Sequence, residues 1–255
     1  SVLSEGFDGH FAYKQKLGKV NLTIRGNMTY SKNEILERDE TNTVYPYQLE
    51  KGYRVNQAKG LIALGLFKDY DDIRNSPKQQ FGKVQPGDIK YKDVNGDGEI
   101  TTADRTMIGN PTPDVTYGFT LGLGYKNWEL AVDMMGQGGN QIYRTWDNYN
   151  WSQFNFMEQR MDRWHGEGTS NTQPLLNTKH TINNLNSEYY IEDGSFFRIR
   201  NVSLAYNFDK ALISKIGMQA LKLYVNIQNL KTWKHNTGYT PELGGSAIAF
   251  GGDDV

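Results

Sequence analysis

The chain contains no cysteine, so disulfides, thiolate catalysis and cysteine-ligated zinc are excluded. It has no excess of either charge: 28 Lys and Arg stand against 29 Asp and Glu, a formal net charge of −1. That balance offers no electrostatic footprint for nucleic acid, which is set aside as a partner. Long apolar runs are missing too. The longest, from Gly60 to Phe67, falls far short of the roughly 20 residues a membrane-spanning helix needs. The four histidines, His10, His165, His180 and His235, are scattered, and there is no His-Glu-x-x-His, no Gly-x-Ser-x-Gly and no Gly-x-x-x-x-Gly-Lys. Acidic pairs such as Asp71-Asp72 and Asp253-Asp254 read as solvated loop charges. No catalytic constellation is left, and the chain is not expected to be an enzyme. It opens Ser1-Val2-Leu3 without Met or a basic leader, which reads as a piece of something longer whose missing part lies upstream.

What is abundant is aromatic: 16 Tyr, 11 Phe and 5 Trp, too many for a disordered chain. Mean hydropathy is only −0.68. A transmembrane barrel tolerates such a value, because each strand alternates a lipid-facing with a lumen-facing residue. The alternation is visible. Val20, Leu22, Ile24, Met28 and Tyr30 interleave with Asn21, Thr23, Arg25, Asn27 and Thr29, a period of two held for about the 9–11 residues of a tilted transmembrane strand. His10 to Lys16 can pair with it through a turn at Leu17-Gly18-Lys19. The pattern recurs with Tyr117, Phe119, Leu121, Leu123 and Tyr125, followed by a Lys126-Asn127 turn and Trp128, Leu130, Val132 and Met134. A third hairpin places Val202, Leu204, Tyr206 and Phe208 beside Leu221, Leu223, Val225 and Ile227, with a helical turn or two after Asp209, a possible N-cap.

Six strands in three hairpins are therefore expected, all antiparallel. The connections within hairpins are short and those between hairpins, residues 31–115 and 137–196, are long. Outer-membrane barrels have this asymmetry, with short periplasmic turns and long extracellular loops. Tyr30, Tyr125, Trp128 and Tyr206 fall near strand ends, where an aromatic girdle would sit. A soluble β-rich module is the alternative.

One segment carries specific chemistry. Residues 93–104 follow the twelve-residue calcium loop: Asp93, Asn95, Asp97 and Asp104 at positions 1, 3, 5 and 12, Gly98 at 6 and Ile100 at 8, with the Glu99 carbonyl and a Thr101 hydroxyl or water completing an oxygen set suited to Ca2+. Asp at position 12 has a shorter reach than the usual Glu. No upstream helix is apparent, and residues 102–107 could form one following helical turn, so a structural, rigidifying calcium is expected rather than a sensor hand. Asn-Gly and Asp-Gly also form tight turns without any ion. Elsewhere Trp146, Tyr149 and Trp151, with Phe154 and Phe156, cluster among Asn, Asp, Gln and Arg, a mix that suits a sugar or peptide site as well as it suits the packing of the loop itself.

Val84-Gln-Pro-Gly-Asp-Ile-Lys-Tyr-Lys-Asp-Val-Asn-Gly-Asp-Gly98, Ile108-Gly-Asn-Pro111, Arg163-Trp164, Asp193-Gly-Ser-Phe-Phe-Arg-Ile-Arg-Asn-Val202 and Leu221-Lys-Leu-Tyr-Val225 resemble the SusC/RagA-like TonB-linked outer-membrane proteins, and the resemblance covers nearly the whole of residues 1–255. It implies the C-terminal part of a 22-stranded transmembrane antiparallel β-barrel in the bacterial outer membrane. It also implies an internal plug, a SusD-like lipoprotein lid, and drive from the TonB complex through the missing N-terminal region. Oligosaccharides or peptides would be the substrates. The runner-up is a soluble, calcium-stabilised β-rich module using Trp146, Tyr149 and Trp151 as a glycan platform.

Overall fold

The computed structural model describes residues 1–40, 43–144, 158–176, 182–238 and 240. Six long strands form one antiparallel sheet in simple sequence order: β1 (Val2–Leu17), β2 (Val20–Ile35), β3 (Val115–Tyr125), β4 (Trp128–Gly138), β5 (Phe196–Asn207) and β6 (Lys222–Lys234). The three expected hairpins are all present. In this chain the sheet is open, with β1 and β6 at its edges.

The first two turns are tight because their leading residue adopts positive φ, +61° at Gly18 and +53° at Lys126; only glycine does so without steric cost. The third connection is a helical turn, Lys210–Ile213, closed by Gly217. Asp209 occupies the N-cap position, but its side chain makes no cap bond. It accepts instead from Asn127 Nδ2 at 2.8 Å, which ties neighbouring turns together at one end of the sheet.

β1 and β2 run longer than the alternation suggests, each 16 residues. The extension, Ser31-Lys32-Asn33-Glu34, is polar on both faces but keeps its ladder to residues 3–6. The long connections accordingly run over residues 36–114 and 139–195.

These connections have structure of their own, which the sequence does not announce. Ala58–Gly60 pairs with Thr106–Ile108, Ala63–Leu66 with Ile89–Tyr91, Lys78–Gln79 runs parallel to Glu99–Ile100, and Gln141–Tyr143 pairs with Ile191–Asp193. Leu61, Ile89, Tyr91, Ile100 and Ile182 form a buried core, so the two connections share one hydrophobic centre. Polar bonds lock them: Asn183 Oδ1 accepts from the Ile89 amide (2.8 Å), Asn183 Nδ2 donates to buried Asp88 (2.9 Å), and the Tyr91 hydroxyl donates to the Ile182 carbonyl (2.9 Å). Burial pushes the Tyr91 hydroxyl pKa well up. The cap is fastened to the rim of the sheet by Tyr53, whose carbonyl accepts from the Ile35 amide (2.8 Å), by the Asp114 amide on Gly138 (2.9 Å), and by the Arg54–Asp114 ion pair.

Leu61 is fully buried, and Leu61→Ala is expected to cost about 2–5 kcal/mol of local stability. In the receptor carrying this chain, trypsin should then cut within residues 36–114 at least about tenfold faster while the barrel keeps its heat-modifiable gel mobility. An unchanged cleavage rate would show that this core does not hold the cap.

Candidate functional site

Because side chains alternate along each strand, the register fixes two faces. One is apolar. On it, rows cross the sheet from strand to strand: Phe11, Gly26 and Phe119 share one row, and Tyr117, Gly136, Phe197 and Trp233 another. The glycines in these rows make room for rings. A Cβ on Gly26 would overlap the Phe11 ring, and one on Gly136 would overlap Tyr117. Phe11 thereby reaches Phe119 (6.2 Å between centroids), and Tyr117 stacks toward Phe197 (6.4 Å), which in turn stacks on Trp233 (5.6 Å).

Aromatic residues gather at both ends of this face. Near the long connections stand Phe7 on Tyr30 (5.7 Å) and the Tyr117–Phe197–Trp233 column. Near the short turns Trp128 meets Tyr206 at 4.8 Å, with Tyr125 in register beside Trp128. Tyr117 and Tyr125 lie on one strand with Phe119, Leu121 and Leu123 between them. Eight residues at about 3.3 Å each separate the two rings by about 26 Å along the strand, which a tilt of about 35–45° reduces to about 20 Å of height, a little under the roughly 25 Å apolar band that girdles flank in membrane barrels. Tyr125 and Trp128 remain 46% and 48% exposed, with no second sheet laid over them among the described residues.

The opposite face is polar. Thr120 Oγ1 and Asn201 Nδ2 donate to the two oxygens of Asp133 at 2.8 and 3.2 Å. Toward the short turns, Asn207 and Lys222 bind Glu129 at 2.8 and 2.5 Å.

In the cap, the loop at 93–104 is braced by its own amides. Asp93 accepts from Gly96 (2.6 Å) and Gly98 (2.9 Å), Asn95 from Asp97 (3.0 Å), and Asp97 from Glu99 (2.8 Å). Gly98 has φ +84°, as the sharp turn requires. Asp104, fully buried, accepts from Val94 (2.8 Å) and Thr101 (2.7 Å), and Thr101 Oγ1 accepts from Ala103 in a reciprocal capping box. The following helix is the single turn Thr102–Asp104, shorter than residues 102–107, because Thr106 already begins a strand. The Glu99 side chain turns to Gln80 (2.8 Å), which leaves its carbonyl for the role expected of position 7.

Among the described residues no three acidic or histidine side chains converge tightly enough to form a metal set. The donor chemistry nonetheless suits a hard cation: the side chains are oxygen donors, and no described ion pair engages Asp93, Asp97 or Asp104. Their field reaches Tyr47, whose hydroxyl pKa is raised by burial first and then by Asp104, with Asp97 and Asp93 adding to it.

Trp146, Tyr149 and Trp151, with Phe154 and Phe156, lie outside the described residues. Trp164 packs its ring against Gly87, where a Cβ would overlap it. The two stretches holding these residues, far apart in sequence, therefore meet in the cap.

No family model matches the sequence. Over 189 residues it is 33% identical to TonB-dependent receptor P26 of Formosa agariphila, across 72% of this chain and 19% of that protein. Over 237 residues it is 22% identical to TonB-dependent receptor SusC of Bacteroides thetaiotaomicron, across 85% of this chain and 22% of that protein. Its backbone superposes on a structure of the RagAB peptide transporter with a TM-score of 0.72 at 19% identity, across 96% of this chain and 27% of that one. The chain belongs to the TonB-dependent receptors. It spans about a fifth of the length of the curated relatives it matches. In a receptor of this family the six strands are an arc of the barrel wall, the apolar face turned to lipid and the polar face to the lumen.

The two faces should differ sharply in tolerance to charge. Leu121→Arg, midway between the belts, is expected to destabilise folding into lipid vesicles by about 2–4 kcal/mol. Thr23→Arg, on the other face, should cost less than about 1 kcal/mol. Equal costs in urea titrations of the folded receptor would contradict this assignment of faces.

Proposed function

We propose that this chain is wall and surface cap of an outer-membrane importer that takes up oligosaccharides or peptides together with a SusD-like surface lipoprotein and draws energy from the TonB complex. The observation that carries this reading is the two-faced sheet: belts of aromatic rings bound an apolar band on one side, a hydrogen-bonded polar network lines the other, and a packed cap stands at one end only. RagAB, whose structure the fold matches, is named a peptide transporter, which supports a peptide as one of the two substrate classes. The cap is where the lipoprotein would seat, and outer-membrane lipid would cover the apolar face. A soluble glycan-binding module fits less well, because β1 is exposed along all of its length with Phe7, Phe11 and Tyr13 uncovered.

Calcium belongs to the same reading. Asp93, Asn95, Asp97, Asp104, the Glu99 carbonyl and Thr101 would hold Ca2+, which supplies no chemistry beyond drawing its oxygen ligands together and stiffening the cap. Asp104 already joins both ends of the loop through Val94 and Thr101, so the ion would rigidify a turn that is largely formed.

Import by the complete receptor should be abolished when the TonB complex or the partner lipoprotein is deleted. Asp93→Ala combined with Asp97→Ala should lower uptake and speed proteolysis of the cap without unfolding the barrel, and chelation should reproduce the proteolysis in the wild type. Uptake that survives loss of TonB would overturn the importer; proteolysis indifferent to chelator and to both substitutions would overturn the calcium site.

A further inference from the structure

On the apolar face a lysine interrupts a row of rings and aliphatic side chains. Lys231 on β6 pairs with Ile199 and shares its row with Met134, Phe119 and Phe11. Trp233, two residues on, lies on the same face and closes the Tyr117–Phe197–Trp233 column. These rings, Lys231 and His235 line a hollow of about 600 Å³. His235 faces Asp193 at 3.5 Å, and Lys234 alternates onto the polar face, so the Lys231 amine is the charge offered on the apolar side.

The level of Lys231 in the membrane follows from strand tilt. Strands of a barrel lean, so a plane parallel to the bilayer crosses the register rows at a slant. The upper rings trace that slant. On β2 they sit at Tyr30, whose row reaches β3 at Val115, but on β3 they sit at Tyr117, one ladder step nearer the short turns. Carried on to β6, the same plane falls at Lys231 to Trp233. Beyond Trp233 the chain is tied to the cap: Thr237 donates to the Glu192 carboxylate from its amide (2.8 Å) and from its hydroxyl (2.7 Å). Lys231 therefore stands at the cap-side boundary of the apolar band. A lysine costs little there, because its long side chain carries the amine up to the headgroups. The further strands of a complete barrel continue the ladder at its edges and a plug occupies its interior, so neither lies over this outward face.

We propose that this hollow is a docking site for a phosphate-bearing lipid of the outer leaflet, with the phosphate on the Lys231 amine and hydrocarbon against the Tyr117–Phe197–Trp233 column. The proposal rests on the apolar face meeting lipid and does not depend on import. An ammonium group binds phosphate as a point charge, and basic pockets on membrane proteins collect lipid headgroups. Rings at headgroup level turn an apolar body to the chains below and a polar tip to the water above. Gly136 prepares the platform. A Cβ there would overlap Tyr117, so the glycine lets that ring lie across β4 toward Phe197 and makes one surface from β3 to β6.

The complete receptor in an uncharged detergent should be offered diphosphoryl lipid A, or the same glycolipid with its phosphates removed, and the lipids it retains counted by native mass spectrometry. The phosphorylated form should be held about fivefold or more tighter. Lys231→Met should lower the number of phosphorylated lipids held by one and leave the dephosphorylated form unchanged, and Lys231→Arg, which keeps the charge, should restore that lipid. Lys32→Met is the control: Lys32 stands on the same face opposite Glu5, away from the column, and its loss should change nothing. Heat-modifiable gel mobility checks that each variant is folded. A folded Lys231→Met receptor holding as many phosphorylated lipids as the wild type, or a wild type holding both forms equally, would overturn the proposal. Displacement of the lipid by excess inorganic phosphate would also overturn it, by showing a site for a free anion. A receptor that fails these tests yet folds into bilayers with its apolar face to lipid loses the docking site and keeps its place in the membrane.

Discussion

The constraint on which the rest of this structure depends is that no backbone amide or carbonyl inside a bilayer can go without a partner. Six strands laid in sequence order answer it with one continuous antiparallel ladder, and every other feature follows from which residues the ladder turns outward. In a membrane barrel such apolar rows face lipid, so the sheet needs no second sheet against it, and none covers it among the described residues. Its edges at β1 and β6 are the places where the same ladder continues in a closed barrel.

Within that ladder the side chains solve two packing problems differently. On the lipid face, glycines at positions 26 and 136 let Phe11 and Tyr117 lie across the strand and join ring to ring, which recovers apolar area that an alanine would block. Above the bilayer water can satisfy the backbone, so the chain is free to leave the ladder. There the two long connections build a small globular core around Leu61, Ile89 and Ile182 and bolt it to the strand ends through Tyr53 and the Arg54–Asp114 pair. Wall and cap thus obey different rules, and the aromatic belt at Tyr30, Tyr117 and Trp233 marks the boundary.

The wall was legible in the sequence because period two is a local signal. Val20 to Tyr30 and Tyr117 to Tyr125 declare their faces without help from any neighbour. Ser31 to Glu34 do not, since above the membrane neither face need be apolar, and the strands therefore run past their readable ends. The cap was not legible for a different reason: its core is assembled across distance, with Ile89 and Asn183 bonded although 94 residues apart, and short strands such as Ala58–Gly60 carry too few residues to show a period. The bulge at Arg200, where the ladder steps from Asn201 to Ile199 against both β4 and β6, lay between these cases. A slip of phase from Phe197 and Ile199 to Val202 and Leu204 is written in the sequence, and it is the signature of one extra residue in a strand. The tight, Asx- and Gly-rich turn at 93–104 could be picked out by spacing alone, because its bracing bonds, Asp93 to Gly96 and Asp104 to Val94, are local.

The central claim is that one face of this sheet meets lipid and the other meets the polar interior of the barrel. Since these residues include no cysteine, single cysteines can be introduced in turn from 117 to 125 in an otherwise cysteine-free receptor, spin-labelled, and read for collision with oxygen and with a water-soluble nickel chelate in bilayers. The account predicts strict alternation, odd positions favouring oxygen most strongly near Leu121 and even positions favouring the chelate. A flat profile, or one in which both faces favour the chelate, would contradict it.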